Sequence, residues 1–254
     1  MLVAANGTQA LIQLLPRVLK TTEVSILSPT YGEYEHVFGA GAKAVTNLEE
    51  HSNLSETLIV VNPNNPTGHV MQRNQLQKLA SQYRHIVVDE AFVDPMPDLS
   101  FVSHMPENTI VLKSFGKFFG LAGVRLGFAV CAPDIAERFH SLLGPWSVSG
   151  PALHIGTHAL ADTQWIEKTR YDLNAASQSL AKTLSDAGFS NVITNPLFVS
   201  ARAPVEWEVF ETLAREHILI RAYGAQPGFY RFGLCESEEV LSRLKSALQG
   251  LCND

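Results

Sequence analysis

Ser114-Phe-Gly-Lys-Phe-Phe-Gly-Leu-Ala-Gly-Val-Arg-Leu-Gly127 sets one lysine, Lys117, among small and apolar residues, with a single arginine, Arg125, further along the run. An ammonium is strongly hydrated and is rarely placed in such surroundings without a partner or a task. Desolvation beside another cation would lower the lysine's pKa and free its amine to attack a carbonyl, as Schiff-base lysines do. The structural alternative is a stem packed on the core with its head snorkelling to water. The surrounding chain bears on the choice.

Strand-like runs flank the stretch on both sides, at Thr109–Ser114 and Arg125–Cys131, and others lie at Leu2–Ala5, Glu23–Ser28, Ala42–Asn47, Thr57–Asn62 and His85–Glu90. Helical patterns fall between them at Thr8–Leu19, Tyr31–Gly39 and Arg73–Tyr83. Such alternation predicts an α/β fold, a mostly parallel seven-stranded sheet flanked by helices. Chemistry in such sheets collects at the carboxyl ends of the strands. Gly7-Thr8, Asn62–Gly68, Asp89-Glu90 and Lys117 all fall there.

From Pro151 the pattern changes to a long helical stretch reaching about Ala187. Strand-like Asn191–Ile193 and Leu197–Ala201 follow, then a helix over Glu206–Glu216, strands at Ile218–Ala222 and Gly228–Leu234, and a last helix over Ser237–Leu251. This predicts a large domain over 1–168 and a smaller C-terminal α+β domain over 169–254.

Composition narrows the function classes. The 254 residues are 46% hydrophobic and 17% charged, ordinary for a globular chain. A net charge of -6 gives no basic footprint, so nucleic acid is not expected as a partner. Cys131, Cys235 and Cys252 are far apart and form no CxxC pair, which reads as reduced thiols rather than a disulfide framework or zinc site. No apolar run approaches the roughly 18 residues of a membrane span, and Met1-Leu-Val-Ala-Ala lacks the basic flank of a signal peptide. A cytoplasmic location, with no membrane partner, is the expectation.

Asp89 ends the run His85-Ile-Val-Val-Asp89; a strand-end aspartate faces the active edge or caps a neighbouring turn. Gly7-Thr8-Gln9 opens a helix straight after a strand, as an anion cradle or as an ordinary N-cap threonine. Ser114 and Arg125 add a hydroxyl and a cation. In Asn62-Pro-Asn-Asn-Pro-Thr-Gly68 the prolines fix two adjacent asparagines on a rigid turn. These are the parts that a pyridoxal 5'-phosphate (PLP) site requires. The aldehyde needs a lysine, and the ring nitrogen needs a carboxylate that keeps it protonated. The phosphate needs helix-start amides, hydroxyls and a cation. The 3′ oxygen needs a donor, and the acidic groups of a substrate need arginine.

Asn65-Pro-Thr-Gly68, Asp89-Glu-Ala91, Ser114-x-x-Lys117 and Gly120-Leu-Ala-Gly-Val-Arg125-x-Gly127, in this order, resemble the fold-type I PLP-dependent aminotransferases of class I/II along nearly the whole chain. The resemblance implies Lys117 as Schiff-base lysine and Asp89 as partner of the ring nitrogen. It implies Asn65 at the 3′ oxygen, Gly7, Thr8, Ser114 and Arg125 at the phosphate, and Tyr31 stacked on the ring. Arg231, in Tyr230-Arg-Phe-Gly, matches the arginine that grips the substrate carboxylate; its structural alternative is a strand-edge surface arginine. A homodimer is implied as well.

Two branches of the family are close: histidinol-phosphate aminotransferase, and threonine-phosphate decarboxylase with its cobalamin-biosynthesis relatives. Many aminotransferases carry a tyrosine three positions after the aspartate, to share the 3′ oxygen with the asparagine; here Phe92 cannot donate that bond. Asp-Glu-Ala-Phe, Ser-Phe-Gly-Lys-Phe-Phe-Gly and Gly-Thr-Gln-Ala-Leu favour the cobalamin branch, hence a small phosphorylated amino acid as substrate. In the family Gly-Thr normally lies several tens of residues into the chain. At positions 7 and 8 it leads to the expectation that the amino-terminal arm is missing, which keeps a non-catalytic relative open as an alternative.

Other candidates are weaker. His154 and His158 have i, i+4 helical spacing but no acidic third ligand nearby, so no metal site is expected. Phe118 and Phe119 read as packing, and Glu206, Glu208 and Glu211 as a solvated helix face. There is no P-loop or GxGxxG fingerprint, and no basic helix-turn-helix segment of the kind found in regulators that carry this fold.

Overall fold

The computed structural model describes residues 1–47, 55–204 and 206–252. They divide into two compact units, one made of Met1–Asn65 and His69–Thr163, the other of Pro66–Gly68 and Gln164–Asp254.

In the first unit β1 (Leu2–Ala5), β2 (Val24–Leu27), β3 (Ala42–Val45), β4 (Thr57–Val61), β5 (His85–Asp89), β6 (Thr109–Ser114) and β7 (Gly127–Val130) form one seven-stranded sheet in the order β1-β7-β6-β5-β4-β2-β3. Strand β7 runs antiparallel to both its neighbours, and the remaining pairs are parallel. The mostly parallel sheet read from the sequence is therefore present. Its middle strands are buried on both faces, which is why Thr57-Leu-Ile-Val-Val and His85-Ile-Val-Val-Asp are β-branched runs without polar alternation. Alternate residues serve two cores: Ile59, Val61, Val87, Ile110 and Leu112 on one face, Leu58, Val60, Ile86, Val88 and Val111 on the other.

Helices cover both faces. α1 (Thr8–Leu19) buries Leu11, Ile12, Leu15, Val18 and Leu19, the single-stripe spacing of an amphipathic helix. α2 (Glu33–Phe38) buries Tyr34 and Phe38, and α3 (Arg73–Ala80) buries Leu76, Leu79 and Ala80 on the opposite core. After the four-residue α4 (Phe115–Phe118), α5 (Pro133–Leu143) contributes Ile135, Ala136 and Phe139 to the core of α1. α5 is absent from the sequence reading, although Pro133 at its start and the spacing of those three residues signal it.

The single helix expected from Pro151 to Ala187 is two: α6 (Gly150–Ala161) and α7 (Thr163–Asp186). Asp162 between them leaves helical geometry at φ -80° and ψ 76°, in keeping with the preference of aspartate for helix ends. The compact units divide at Thr163/Gln164, so a boundary at 168/169 falls inside α7.

The second unit holds β8 (Ser190–Asn195), β9 (Phe198–Arg202), α8 (Val209–Arg215), β10 (Arg221–Ala222), β11 (Phe229–Gly233) and α9 (Glu238–Gln249). Its antiparallel four-stranded sheet runs β10-β11-β9-β8 over a core including Leu180, Leu184, Val199, Ala201, Tyr230, Phe232, Leu244 and Leu248. β10 starts three residues later than its sequence suggests, because the Ile218 amide closes the end of α8 on the Leu213 carbonyl.

Candidate active site

Beyond the carboxyl ends of β4, β5 and β6 the first unit holds a cavity of about 380 Å³. Gly7, Thr8, Gln9, Tyr31, Asn65, Asp89, Ala91, Phe92, Ser114, Lys117 and Arg125 all line it. Residues spread over more than a hundred positions of sequence are thus gathered at one sheet edge.

At one part of the wall, Gly7 takes φ 82° and starts α1. A Cβ there would stand 2.6 Å from an Arg125 guanidinium nitrogen, so only glycine lets the cation approach this backbone. Gly127 makes a second close approach: its Cβ would lie 2.4 Å from the Thr8 amide nitrogen. Arg125 itself takes a left-handed φ of 55° and donates to the Ala122 carbonyl at 3.3 Å. Ser114, the last residue of β6, pairs in register with Gly127. Helix-start amides, a hydroxyl and a guanidinium therefore share one place, the requirements of an anion site.

Asp89 terminates β5 and is only 3% exposed. Its Oδ1 accepts the Ala91 amide at 2.9 Å and its Oδ2 accepts the Tyr34 hydroxyl at 2.7 Å. Burial pushes the Asp89 carboxyl above its ordinary range, while the Tyr34 hydroxyl, the Ala91 amide and the Lys117 charge pull the other way. Tyr34 is fully buried, and its phenol is pushed well above 10 by that burial and by Asp89. Tyr31, three residues earlier, lies edge-on to Tyr34 with ring centroids 6.3 Å apart, and its hydroxyl donates to Gln9 Oε1 at 3.4 Å.

Lys117 projects from α4 over the Phe92 ring, with Nζ 5.6 Å from the centroid. The apolar run that carries it leads to the expectation of a desolvated ammonium, yet Lys117 stands exposed on the cavity wall. Its neighbours Phe115 and Phe118 turn into the core instead, and Phe115 stacks on Phe119 at 4.6 Å.

Asn64 locks the loop that carries Asn65. Its Oδ1 accepts from Thr30 Oγ1 at 2.7 Å and its Nδ2 donates to the Pro29 carbonyl at 2.9 Å, tying that loop to the one that carries Tyr31. Tyr34 has no role in the sequence reading, and Gln9 enters it only as part of the Gly7-Thr8-Gln9 helix start. The spacing Tyr31-Gly-Glu-Tyr34 at a helix start was the available signal for Tyr34.

In the second unit, Arg231 on β11 pairs in register with Arg221 on β10 and with Ser200 on β9. Paired residues share a face, and it is the face opposite the core residues Val199, Ala201, Tyr230 and Phe232. The Arg231 guanidinium lies over the Phe198 ring at 5.2 Å. Arg221 is a second arginine that the sequence reading passed over, because its alignment with Arg231 is set by strand pairing rather than by local pattern. His154 and His158 lie together on α6, their rings tilted at 47° with centroids 4.3 Å apart and His158 Nδ1 against the His154 carbonyl. Among the described residues no three His, Cys, Asp or Glu side chains gather as a metal site, and no helix is long and apolar enough to cross a membrane.

A lysine past one strand end, a buried aspartate at the next and an anion cradle at a helix start define the class of α/β enzymes that bind PLP. Residues 1–248 match the family described as aminotransferase class I and II. The chain belongs to that family, whose cofactor is PLP. It is 39% identical to the threonine-phosphate decarboxylase of Pseudomonas aeruginosa over 96% of this chain and 76% of that protein. It is 40% identical to the threonine-phosphate decarboxylase of a Sinorhizobium species, over 95% of this chain and 75% of that protein. The crystal structure of histidinol-phosphate aminotransferase from Clostridium acetobutylicum superimposes with a TM-score of 0.89 at 23% identity, covering 99% of this chain and 84% of that one, a likeness of fold.

The residues present fit the cofactor. The Gly7 cradle, which a Cβ would fill, suits its phosphate; the buried Asp89 carboxylate suits a protonated ring nitrogen; and Lys117, on the same cavity wall, offers an amine suited to its aldehyde.

Proposed function

We propose that this chain is a PLP-dependent decarboxylase of a small phosphorylated amino acid, with L-threonine O-3-phosphate as substrate. The observation that carries the reading is the 39–40% identity to two threonine-phosphate decarboxylases, joined to a cavity holding lysine, aspartate and anion cradle together. The setting it implies is cobalamin biosynthesis in the cytoplasm.

Bound PLP supplies an electron sink for the carbanion left when a bond to the substrate α-carbon breaks. Lys117 Nζ would hold the aldehyde carbon covalently and, once displaced by the substrate amine, would stand ready to return a proton to the α-carbon in place of the lost carbon dioxide. Asp89 would keep the ring nitrogen protonated. Asn65 would donate to the 3′ oxygen without help from a tyrosine, since Phe92 has no hydroxyl. Gly7, Thr8, Ser114 and Arg125 would hold the phosphate, and Tyr31 would lie against the ring. Arg231, with Arg221 beside it, gives the substrate's anionic groups an arginine-bearing face.

A homodimer is part of the proposal. α6 buries only Ala152 and Gly156 among the described residues of its span, and it exposes Leu153, Ile155 and Leu160. Trp146, in the same unit, is 93% exposed. A second copy of the chain would cover these exposed apolar side chains.

Product analysis tests the chemistry. L-threonine O-3-phosphate is expected to yield aminopropanol phosphate and carbon dioxide with no amino acceptor. Oxoacid formation that depends on an acceptor would overturn the decarboxylase reading and favour a histidinol-phosphate-type aminotransferase. Absence of either product, with cofactor retained, would favour a non-catalytic relative.

A further inference from the structure

We infer that Tyr34 is the positioning residue of the cofactor site, a neutral hydrogen-bond donor that holds Asp89 oriented and ionised so that its negative charge is kept for the ring nitrogen of the cofactor. The inference rests on the PLP reading of the cavity and assigns a role to a residue outside the cavity lining.

The geometry is specific. Asp89 is almost wholly removed from water, and each carboxylate oxygen already has one partner, Ala91 N–H on Oδ1 and Tyr34 O–H on Oδ2. Both partners are uncharged. Two such bonds fix the plane of the carboxylate and leave further lone pairs open, since a carboxylate has about four acceptor sites. A buried arginine or lysine in place of Tyr34 would neutralise Asp89 internally and leave less charge to match the protonated ring. Tyr34 is completely buried, so it touches neither solvent nor ligand, and its hydroxyl is directed at Asp89. The charged and titratable groups that act on this carboxylate are Tyr34 from α2 and Lys117 from α4; Tyr31, at the start of the same segment, is in turn influenced by Asp89 and Glu33. Lys117 is the sole cation among these and stands on the cavity wall rather than on the carboxylate.

The spacing explains how one short element does two jobs. Tyr31 lies two residues before α2 and Tyr34 in its first turn, and their rings meet edge-on. The first lines the cavity and the second stands behind Asp89.

Removal of the hydroxyl takes one stabilising bond from a buried carboxylate, so its pKa rises further. Cofactor binding that needs the ionised carboxylate then fails at a higher pH than in the wild type. In Tyr34→Phe, which keeps the ring packing, the dissociation constant for PLP near neutral pH is expected to rise roughly ten- to hundredfold, the size of a hydrogen bond to a charged group. Its acid limb, followed by absorbance titration across pH, is expected to move upward. In an Asp89→Asn background the same substitution is expected to change PLP affinity little, because Tyr34 acts through the carboxylate. An unmoved acid limb in Tyr34→Phe, or an equal loss in the Asp89→Asn background, would overturn the assignment. If Tyr34→Phe does not fold, the wild-type apoprotein decides. A slowly exchanging phenol proton is expected in its NMR spectrum, shifted in Asp89→Asn, and its absence would overturn the inference. A wild type that binds no PLP at any pH would refute the PLP reading and this role with it, an outcome distinct from unaltered binding in the variant.

Discussion

Asp89 and Glu90 are consecutive carboxylates at the end of one strand, and the chain treats them in opposite ways. Asp89 faces the cavity and is held by neutral donors, Tyr34 and Ala91. Glu90, fully buried, accepts the Ser100 hydroxyl at 2.7 Å and the Phe101 amide, and pairs with Lys113 at 3.4 Å. Lys113 also pairs with Asp94 at 2.7 Å. Burial pushes both carboxyls upward, but on Glu90 the Lys113 charge leads the opposing effects, whereas on Asp89 the Tyr34 hydroxyl leads them. A carboxylate matched by an internal cation is finished as a piece of structure. One whose hydrogen bonds come only from neutral donors keeps its charge available to a ligand. Period-two geometry produces both, because neighbouring residues on a strand point to opposite faces.

The largest expected effect separates the lysines that accompany the two carboxylates. Lys117→Ala is expected to leave no borohydride-trappable adduct with PLP and to lower turnover by at least about 10²-fold, the scale of a lost acid–base group. Lys113→Ala is expected to keep the adduct, and its loss there would erase the division of labour. Next comes stability. Glu90→Gln strands Lys113 with Asp94 alone and weakens the hold on Ser100 and Phe101, so a loss of about 2–3 kcal/mol in denaturant unfolding is expected, with PLP affinity nearly unchanged. Asp89→Asn is expected to do the reverse, unfolding as apoprotein at or above the wild-type temperature at neutral pH while retaining little PLP. A large drop in its melting temperature would show that Asp89 is structural in the manner of Glu90.

A pH series sharpens the same contrast. The folded-state pKa of Asp89 is raised above its ordinary 3.8, so its contribution to apoprotein stability is complete below that value. It is lost as pH rises through the folded-state value. The melting temperature of Asp89→Asn relative to wild type should therefore climb across that window and then level off. The smallest effect belongs to Asp94, at the rim of the Glu90 network. Asp94→Asn should cost about 1 kcal/mol or less, as partly exposed pairs do.

Much of this was legible in the sequence, for reasons that can be named. β5 and β6 are short, mostly β-branched runs that end in the polar residues Asp89 and Ser114, and parallel sheets put their chemistry at those ends, so Asp89 and Lys117 stand out in the sequence itself. Tyr34 did not, because a buried tyrosine looks like core until its hydroxyl partner is known. Arg221 was hidden for a different reason: its alignment with Arg231 is a fact of strand pairing rather than of local pattern. The split between α6 and α7 rests on the backbone of Asp162 alone, within a stretch whose composition is helical throughout. The exposure of Lys117 is also a tertiary property, since its apolar neighbours are core residues that turn away from it.

The interlock of Gly7, Arg125 and Gly127 also governs when the site can exist. β1 pairs with β7 at the sheet edge, Leu2 opposite Val130 and Ala5 opposite Gly127, so the opening of α1 and the cation beside it come from stretches far apart in the chain. On a ribosome the early half of the cradle must wait for the late half. Contacts of such long sequence separation form slowly, because loop closure precedes any reward. The nascent chain thus cannot complete this cradle until synthesis has passed β7, which places capture of any anion there after, rather than during, the making of the sheet.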